Sequence, residues 1–379
     1  MSKLRVFHLA PADRTKTGIA SYADIVDEIF ARHLADEVDM QRVAPGQYLA
    51  AVGGSDNAVV LAQIGSNEGD VFRILRRQRQ KMPGVRRVIE IHDPPHVVLS
   101  YTALLERMAA TLPGRAVRRL FDRLFGDRYV RSFVGPADVF VCKTAIGARA
   151  LNERFRRLKV EAPVMCIELA NYLEMPPSMP PHVEAVPSIG FFGYIHPDKG
   201  VHVLVDAAIR LHAARGMAAV PRIFIRGSLA TPQCEQYLLE MKRRVRDAGI
   251  ADRVDFGGFV PSEELPRFVA GLSAVALPYM VASRASASGP LLWARTCRVP
   301  VLAHRTAVFE SSVSDGVDGV LIEIGNLDAW AATMARIATE PGWAQGLRPG
   351  VEACQSRGSW KTVAEGFRVA LGLPREVAS

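Results

Sequence analysis

The chain has 379 residues, 49% hydrophobic, 23% charged and 7% aromatic, with a formal net charge of +8. That length suggests two or three domains, and the apolar content suffices for two cores, which excludes a mostly disordered chain. No run approaches the roughly 18 consecutive apolar residues of a spanning helix. The longest, Ala274 to Ala282, is interrupted by Pro278. The opening MSKLR runs into a strand pattern without an apolar leader block, so a soluble, cytoplasmic protein is expected. Five scattered cysteines (Cys142, Cys166, Cys234, Cys297, Cys354) form no CxxC pair and read as buried thiols of a reducing compartment.

In chain order, short Val/Ile-rich runs predict strands at Leu4–Ala10, Ala58–Ile64, Arg87–His92, Ala137–Cys142 and Pro163–Glu168. Segments with apolar residues three and four apart, such as Ile19–Phe30, lie between them and predict helices. The stretch EMPPSMPPHVEAVPS, residues 174–188, carries five prolines and predicts a linker, because proline that dense continues neither helix nor interior strand. The alternation then restarts with strands at Ile189–Gly193, Ile223–Ile225, Val254–Phe256, Ala274–Leu277, Val299–Ala303 and Val320–Ile322. Strand alternating with helix implies an α/β protein of two doubly wound, Rossmann-like parallel sheets. The expected division is an N-terminal domain over 1–175, a linker over 176–188, a C-terminal domain over 189–360 and a closing helix over 361–379 that returns toward the first domain. Open parallel sheets bind ligands beyond the carboxyl ends of their strands, so a cleft between the two sheets is the expected site.

Four loops after strands carry the chemistry. In ADRTKTGIASYADIV, Gly18 permits close backbone approach at a helix start, or is simply a turn glycine. This is neither G-x-G-x-x-G nor a P-loop, which argues against a dinucleotide dehydrogenase and an ATPase. In IEIHDPPHVV, His92 closes a strand, where it can exchange a hydrogen bond with a hydroxyl or serve a structural role; Asp93 beside it can orient the ring or cap the next turn. In GFFGYIHPDKGVHVLVDAAIRL, a strand ends at Gly193 and Lys199 stands at a helix start, a placement suited to a diphosphate. In YMVASRASASGPLLWARTCRVPVLAH, Ser286, Ser288 and Gly289 precede Pro290 and can cap a helix while leaving amides for an anion, with Arg284 alongside.

The order and spacing of these four loops resemble the retaining GT-B glycosyltransferases of family 4, the glycosyl transferases of group 1. The resemblance runs through GYIHPDKGVHVLVDAA, VDFGGFVPSEELPRFVAGLSAVALPY, SGPLLWARTCRVPVLAH and VSDGVDGVLIEIGNLDAWAATMARI, and Trp360 matches a tryptophan that often begins the family's closing helices. It implies transfer of a sugar from a UDP- or GDP-linked donor, without metal or other cofactor, to a glycan or polyprenyl-linked acceptor in polysaccharide or glycolipid synthesis. It implies that Gly18 and His92 lie near the transferred sugar and that Lys199 stabilises the leaving diphosphate. No enzymic nucleophile is assigned. Three positions depart from the family: Tyr194 stands where arginine is frequent, and Ala285 and Trp293 stand where two glutamates are usual, the second of which holds the donor ribose. Arg226 or Arg284 is expected to supply the missing positive charge.

Most of the positive excess lies in the first 180 residues. Residues 71–87 carry seven Lys or Arg and no acid, and 115–131 carry six Arg with Val117, Leu120, Phe121 and Leu124 on one helical face. These read either as solvated helix faces or as a docking surface for anionic lipid, placing the protein on the inner face of a membrane. Nucleic acid is not expected, because aromatic interleaving is absent. The alternatives to a transferase are an epimerase or hydrolase of the nucleotide-sugar and a non-catalytic binding relative.

Overall fold

A computed structural model describes residues 3–11, 18–53, 58–65, 69–97, 122–174, 187–281 and 286–374. The chain forms two compact units, Met1–Ala170 with Ala285–Ala287 and Arg357–Ser379, and Asn171–Arg284 with Ser288–Ser356. Most of the proline-rich stretch lies outside the described residues.

The first unit holds β1 (Leu4–Leu9), β2 (Val38–Arg42), β3 (Val59–Ile64), β4 (Arg86–Ile91), β5 (Asp138–Cys142) and β6 (Val164–Cys166). They pair in parallel in the order β2-β1-β3-β4-β5-β6. Every residue of β3 and β5 is buried, as expected of strands covered on both faces. The edge strand β2 was not predicted: its sequence VDMQR exposes Gln41 and Arg42 and lacks an apolar run. The strand expected over Pro163–Glu168 contracts to three residues at the opposite edge, where Cys166 is exposed, contrary to the expectation of buried thiols; Cys142 and Cys234 are buried.

Helix α1 (Gly18–His33) buries Tyr22, Ile25, Val26, Ile29 and Phe30. It packs on the C-terminal helix Trp360–Leu371, with the Phe30 and Phe367 rings 5.2 Å apart. Arg86 donates to the carbonyls of Leu371 and Ala370 at 2.7 and 2.9 Å, closing the carboxyl end of that helix. Helices α2 (Tyr48–Gly53), α3 (Gly69–Lys81), α4 (Asp127–Phe133) and α5 (Ala145–Leu158) complete the unit.

Arg87 lies wholly inside this unit. Its Nε donates to Asp138 Oδ1 at 2.7 Å, Nη1 to the Leu75 carbonyl at 3.0 Å and Nη2 to the Phe133 carbonyl at 2.7 Å and to Asp138 Oδ2. The 71–87 segment is therefore not one basic surface: Arg86 and Arg87 are spent on internal contacts, and Arg73 pairs with Asp70. Of the 115–131 segment, residues 115–121 lie outside the described residues. Among the described residues no helix is long and apolar enough to cross a membrane.

The second unit holds β7 (Ser188–Phe192), β8 (Arg222–Arg226), β9 (Val254–Gly257), β10 (Ala274–Leu277), β11 (Val301–His304) and β12 (Gly319–Ile322), all parallel in the order β12-β11-β10-β7-β8-β9. Its helices are α6 (Val201–Arg215), α7 (Cys234–Asp247), α8 (Leu265–Ala270), α9 (Gly289–Thr296), α10 (Ala307–Glu310), α11 (Leu327–Thr339) and α12 (Arg348–Gln355). Strand direction of growth reverses between β7 and β10, so the loops after these two strands flank the switch point where open sheets take ligands. In the first unit the corresponding reversal lies between β1 and β3.

The buried ion pair yields a stability prediction. Arg87→Met strands the Asp138 carboxylate in the core and is expected to cost about 3–5 kcal/mol. Thermal melting followed by circular dichroism should show the first unit's transition falling on the order of 10 °C, with Arg87→Met combined with Asp138→Leu recovering part of the loss.

Candidate active site

In the second unit, β7 ends at Phe192 and Gly193 follows with φ +131°. The turn Pro197–Lys199 is capped by the His196 ring, which accepts from the Asp198 amide at 3.1 Å. Gly200 then enters the left-handed region at φ +74° and starts α6; a Cβ there would lie 1.8 Å from the Pro278 carbonyl oxygen. The Met280 amide donates to the Asp198 carbonyl at 2.9 Å, tying the β7 loop to the β10 loop. Gly227, at φ +155°, is equally constrained, since its Cβ would lie 1.8 Å from the Gly193 carbonyl oxygen.

These backbone contacts bring together side chains from three loops. The Lys199 ammonium lies 3.7 Å from the centroid of the Tyr279 ring. The Tyr279 hydroxyl is 3.4 Å from Ser288 Oγ, and the His304 ring, at the end of β11, bonds the Tyr279 carbonyl at 3.2 Å through Nδ1. Burial pushes the His304 pKa down, so the ring is neutral and its Nδ1–H donates. Ser288 is the N-cap of α9 and accepts from the Leu291 amide; Ser286 is not a cap. The Leu292 amide donates to the Ser288 carbonyl and Pro290 has no N–H, so the first turn leaves the Gly289 amide rather than a set of free donors. Lys199 has no carboxylate partner among the described residues.

Other predicted residues are engaged elsewhere. Arg226 donates to Asp255 Oδ2 at 2.6 Å and to the Asp255 carbonyl at 3.1 Å, and its guanidinium lies against Phe224 and Phe268. It packs over Gly257, where a Cβ would meet Nη1 at 2.5 Å. Its charge is thus already paired within the sheet edge, unlike that of Lys199. Arg284 and Ala285 lie outside the described residues. Trp293 stacks on Tyr172 with centroids 4.4 Å apart and planes 12° from parallel. Tyr194 is exposed.

In the first unit Gly18 is the exposed first residue of α1, and a Cβ there would meet no atom of the described residues within 4 Å. Neither packing nor a positive φ requires glycine at this position. The loop before it, residues 12–17, lies outside the described residues. His92 follows β4, ahead of a cis Pro94–Pro95 bond. Gln63, not Asp93, holds the ring: His92 Nε2 and Gln63 Oε1 are 3.1 Å apart, while Asp93 Oδ1 accepts from Ser286 Oγ at 2.7 Å. Behind Gln63 lie buried His8 and then Asp27, with Gln63 Nε2 3.1 Å from His8 Nε2 and His8 Nδ1 2.6 Å from Asp27 Oδ1.

Beside this row, Lys143 pairs with Glu90, and its ammonium lies over the Tyr22 and Phe367 rings. Burial disfavours the lysine charge, but the Glu90 carboxylate and Tyr22 outweigh it and hold the pKa above its ordinary value. The Tyr22 hydroxyl, itself pushed up by burial, accepts from the Ala170 amide at 3.3 Å, and its ring meets His92 edge-on at 5.9 Å. Tyr279, His304, Gln63 and His8 were not selected from the sequence. Gln63 and His8 were detectable as polar residues inside runs that otherwise read as fully buried strands. Tyr279 and His304 close strands as His92 does, but no spacing joins them.

Surrounding protein pushes the His92 pKa down to about 4; burial is the main cause and Lys143 adds to it, against opposing effects of Glu90 and Asp93. The unfolded chain therefore binds more protons than the folded one between about pH 4 and 6.5. Stability contributed by neutral His92 is complete above that window and is lost as pH falls through it. Melting of the wild type and His92→Asn between pH 4.5 and 7 should show a shallower pH dependence in the variant's first unit.

Comparison with known proteins gives these loops a context. Residues 186–340, which include all six strands of the second unit, match the family described as Glycosyl transferases group 1. A D-inositol 3-phosphate glycosyltransferase of Actinosynnema mirum is 30% identical over 196 residues, 50% of this chain and 45% of that protein. A 2-deoxystreptamine N-acetyl-D-glucosaminyltransferase of Streptomyces fradiae is 26% identical over 143 residues, 38% of this chain and 32% of that protein. The match thus spans less than half the length of these curated relatives. Among solved structures, Anabaena HepE in complex with UDP and glucose superposes with a TM-score of 0.65 at 16% identity, covering 97% of this chain and 99% of that one. Sucrose-phosphate synthase of Thermosynechococcus elongatus does so with a TM-score of 0.66 at 14% identity, covering 96% and 97%. The fold is the two-domain α/β fold of the GT-B glycosyltransferases.

Proposed function

We propose that this chain is a glycosyltransferase that moves a sugar from a UDP- or GDP-linked donor to a glycan or lipid-linked acceptor, with retention of configuration. The observation that carries the reading is the Lys199 ammonium, held over Tyr279 beside the capped start of α9 at the switch point of the second sheet. Glycosyl transfer develops negative charge on the departing diphosphate, and a fixed cation with no carboxylate competing for it stabilises that charge as it forms. The Gly289 amide is the donor that α9 adds. Departure of the diphosphate leaves oxocarbenium character at the sugar carbon, and a neutral His92 can hold a sugar hydroxyl without repelling that positive charge. Gly18, where no described atom would meet a side chain, lets the substrate approach the start of α1 backbone-close. The match to Glycosyl transferases group 1 and the likeness to a structure holding UDP and glucose support the donor class.

A lipid-linked acceptor accords with Leu124 and Phe125, which are 63% and 50% exposed beside Arg128. Docking on an anionic membrane would cover such apolar side chains. A second reading, nucleotide binding without catalysis, is favoured by one observation: Trp293 stacks on Tyr172 where the resemblance leads one to expect a ribose-binding carboxylate.

Thermal-shift titration with UDP, GDP, ADP and their sugars tests the donor, since a ligand of the folded state raises its melting temperature. Lys199→Met is expected to lower kcat about 100-fold with melting little changed. Nucleotide binding with no sugar transfer or release in the wild type would select the second reading.

A further inference from the structure

The row His92–Gln63–His8–Asp27 crosses the first sheet from the loop after β4 to the face of α1, and its polarity follows from its far end. Asp27 is held by Arg42, whose Nη2 lies 2.6 Å away, so its carboxylate only accepts. His8 Nδ1, 2.6 Å from Asp27 Oδ1, therefore carries a proton. A singly protonated His8 then has a bare Nε2, which must receive a hydrogen, and Gln63 turns its amide Nε2 to it at 3.1 Å. That orientation sends Gln63 Oε1 toward His92 Nε2 at 3.1 Å, and a carbonyl oxygen only accepts. His92 Nε2 must therefore be the protonated nitrogen. His8 and Gln63 are fully buried, so neither end of the carboxamide can exchange its partner for water.

We propose that Asp27, His8 and Gln63 are positioning residues that lock His92 in its Nε2–H tautomer. The neutral ring then has one nitrogen left, Nδ1, and it can only accept. The row thus selects a hydroxyl donor, such as a sugar hydroxyl, as the partner of His92. It rejects a carbonyl or carboxylate oxygen there. Extra protonation of His8 would reverse the whole row: both its nitrogens would donate, Gln63 would turn its oxygen to it, and the proton of His92 would move to Nδ1. The step from tautomer to catalysis rests on the glycosyltransferase reading; the tautomer itself does not.

Long-range proton–nitrogen correlation spectra of the full chain with labelled histidine report which ring nitrogen bears hydrogen, with His8→Asn and His92→Asn used only for assignment. In the wild type at pH 7, His92 is expected protonated at Nε2 and His8 at Nδ1. Gln63→Leu should release His92 to a mixture of tautomers. Gln63→Glu, whose carboxylate accepts from both rings, should restore Nε2–H at His92 and add a proton to His8, which keeps the test open if Gln63→Leu fails to fold. A wild-type His92 protonated at Nδ1, or a His92 tautomer unmoved by Gln63→Leu, overturns the proposal. With a turned-over donor in hand, Gln63→Leu should lower kcat on the order of tenfold or more and Gln63→Glu should recover part of it. A wild type that turns over no nucleotide-sugar would count against the glycosyltransferase reading, and the spectra would still decide the tautomer.

Discussion

Parallel pairing governs this protein. A parallel strand can be joined to its neighbour only by a crossover, so every loop that leaves a strand's carboxyl end collects on one edge of its sheet. Twelve strands obey that rule in two sheets of six among the described residues. Residues far apart in the chain thereby become neighbours: Lys199 after β7, Tyr279 after β10, Ser288 at the start of α9 and His304 at the end of β11. In the first unit the same rule lines up His8 of β1, Gln63 of β3 and His92 after β4.

Covering both faces of a sheet makes its interior costly for polar groups, and each unit meets that cost in its own way. In the first, Arg87 satisfies its guanidinium with Asp138 and two carbonyls, while Lys143 relies on Glu90 and the faces of two aromatic rings. His92 is kept neutral beside these charges, mainly by its burial. In the second unit, Arg226 is neutralised by Asp255 at the edge of the sheet, whereas Lys199 rests on an aromatic face with no carboxylate partner among the described residues. The two cations look alike in the sequence and differ in what the fold sets against them.

Glycine marks where backbone crowds backbone. At Gly200 and Gly227 a side chain would strike a carbonyl of the neighbouring loop, so these positions hold the β7, β8 and β10 loops in register. Gly18 differs, since no described atom would crowd a side chain there. Gly200 and Gly227 thus serve the architecture.

The sequence by itself determined the alternation of strand and helix, the two-sheet organisation and the loops that carry Lys199, His92 and Ser288, because these follow from local periodicity and turn chemistry. It left β2 unseen, because an edge strand with one exposed face needs no apolar run. It counted Arg86 and Arg87 as surface charge, since composition does not reveal which cations find buried carbonyls and a carboxylate. Tertiary structure alone decided that Arg226 is paired, that Ser288 rather than Ser286 caps α9, and that Gln63 rather than the adjacent Asp93 orients His92. Each of these depends on partners tens of residues away, brought within hydrogen-bond distance by strand register, and register is a property of the assembled sheet that no single segment encodes.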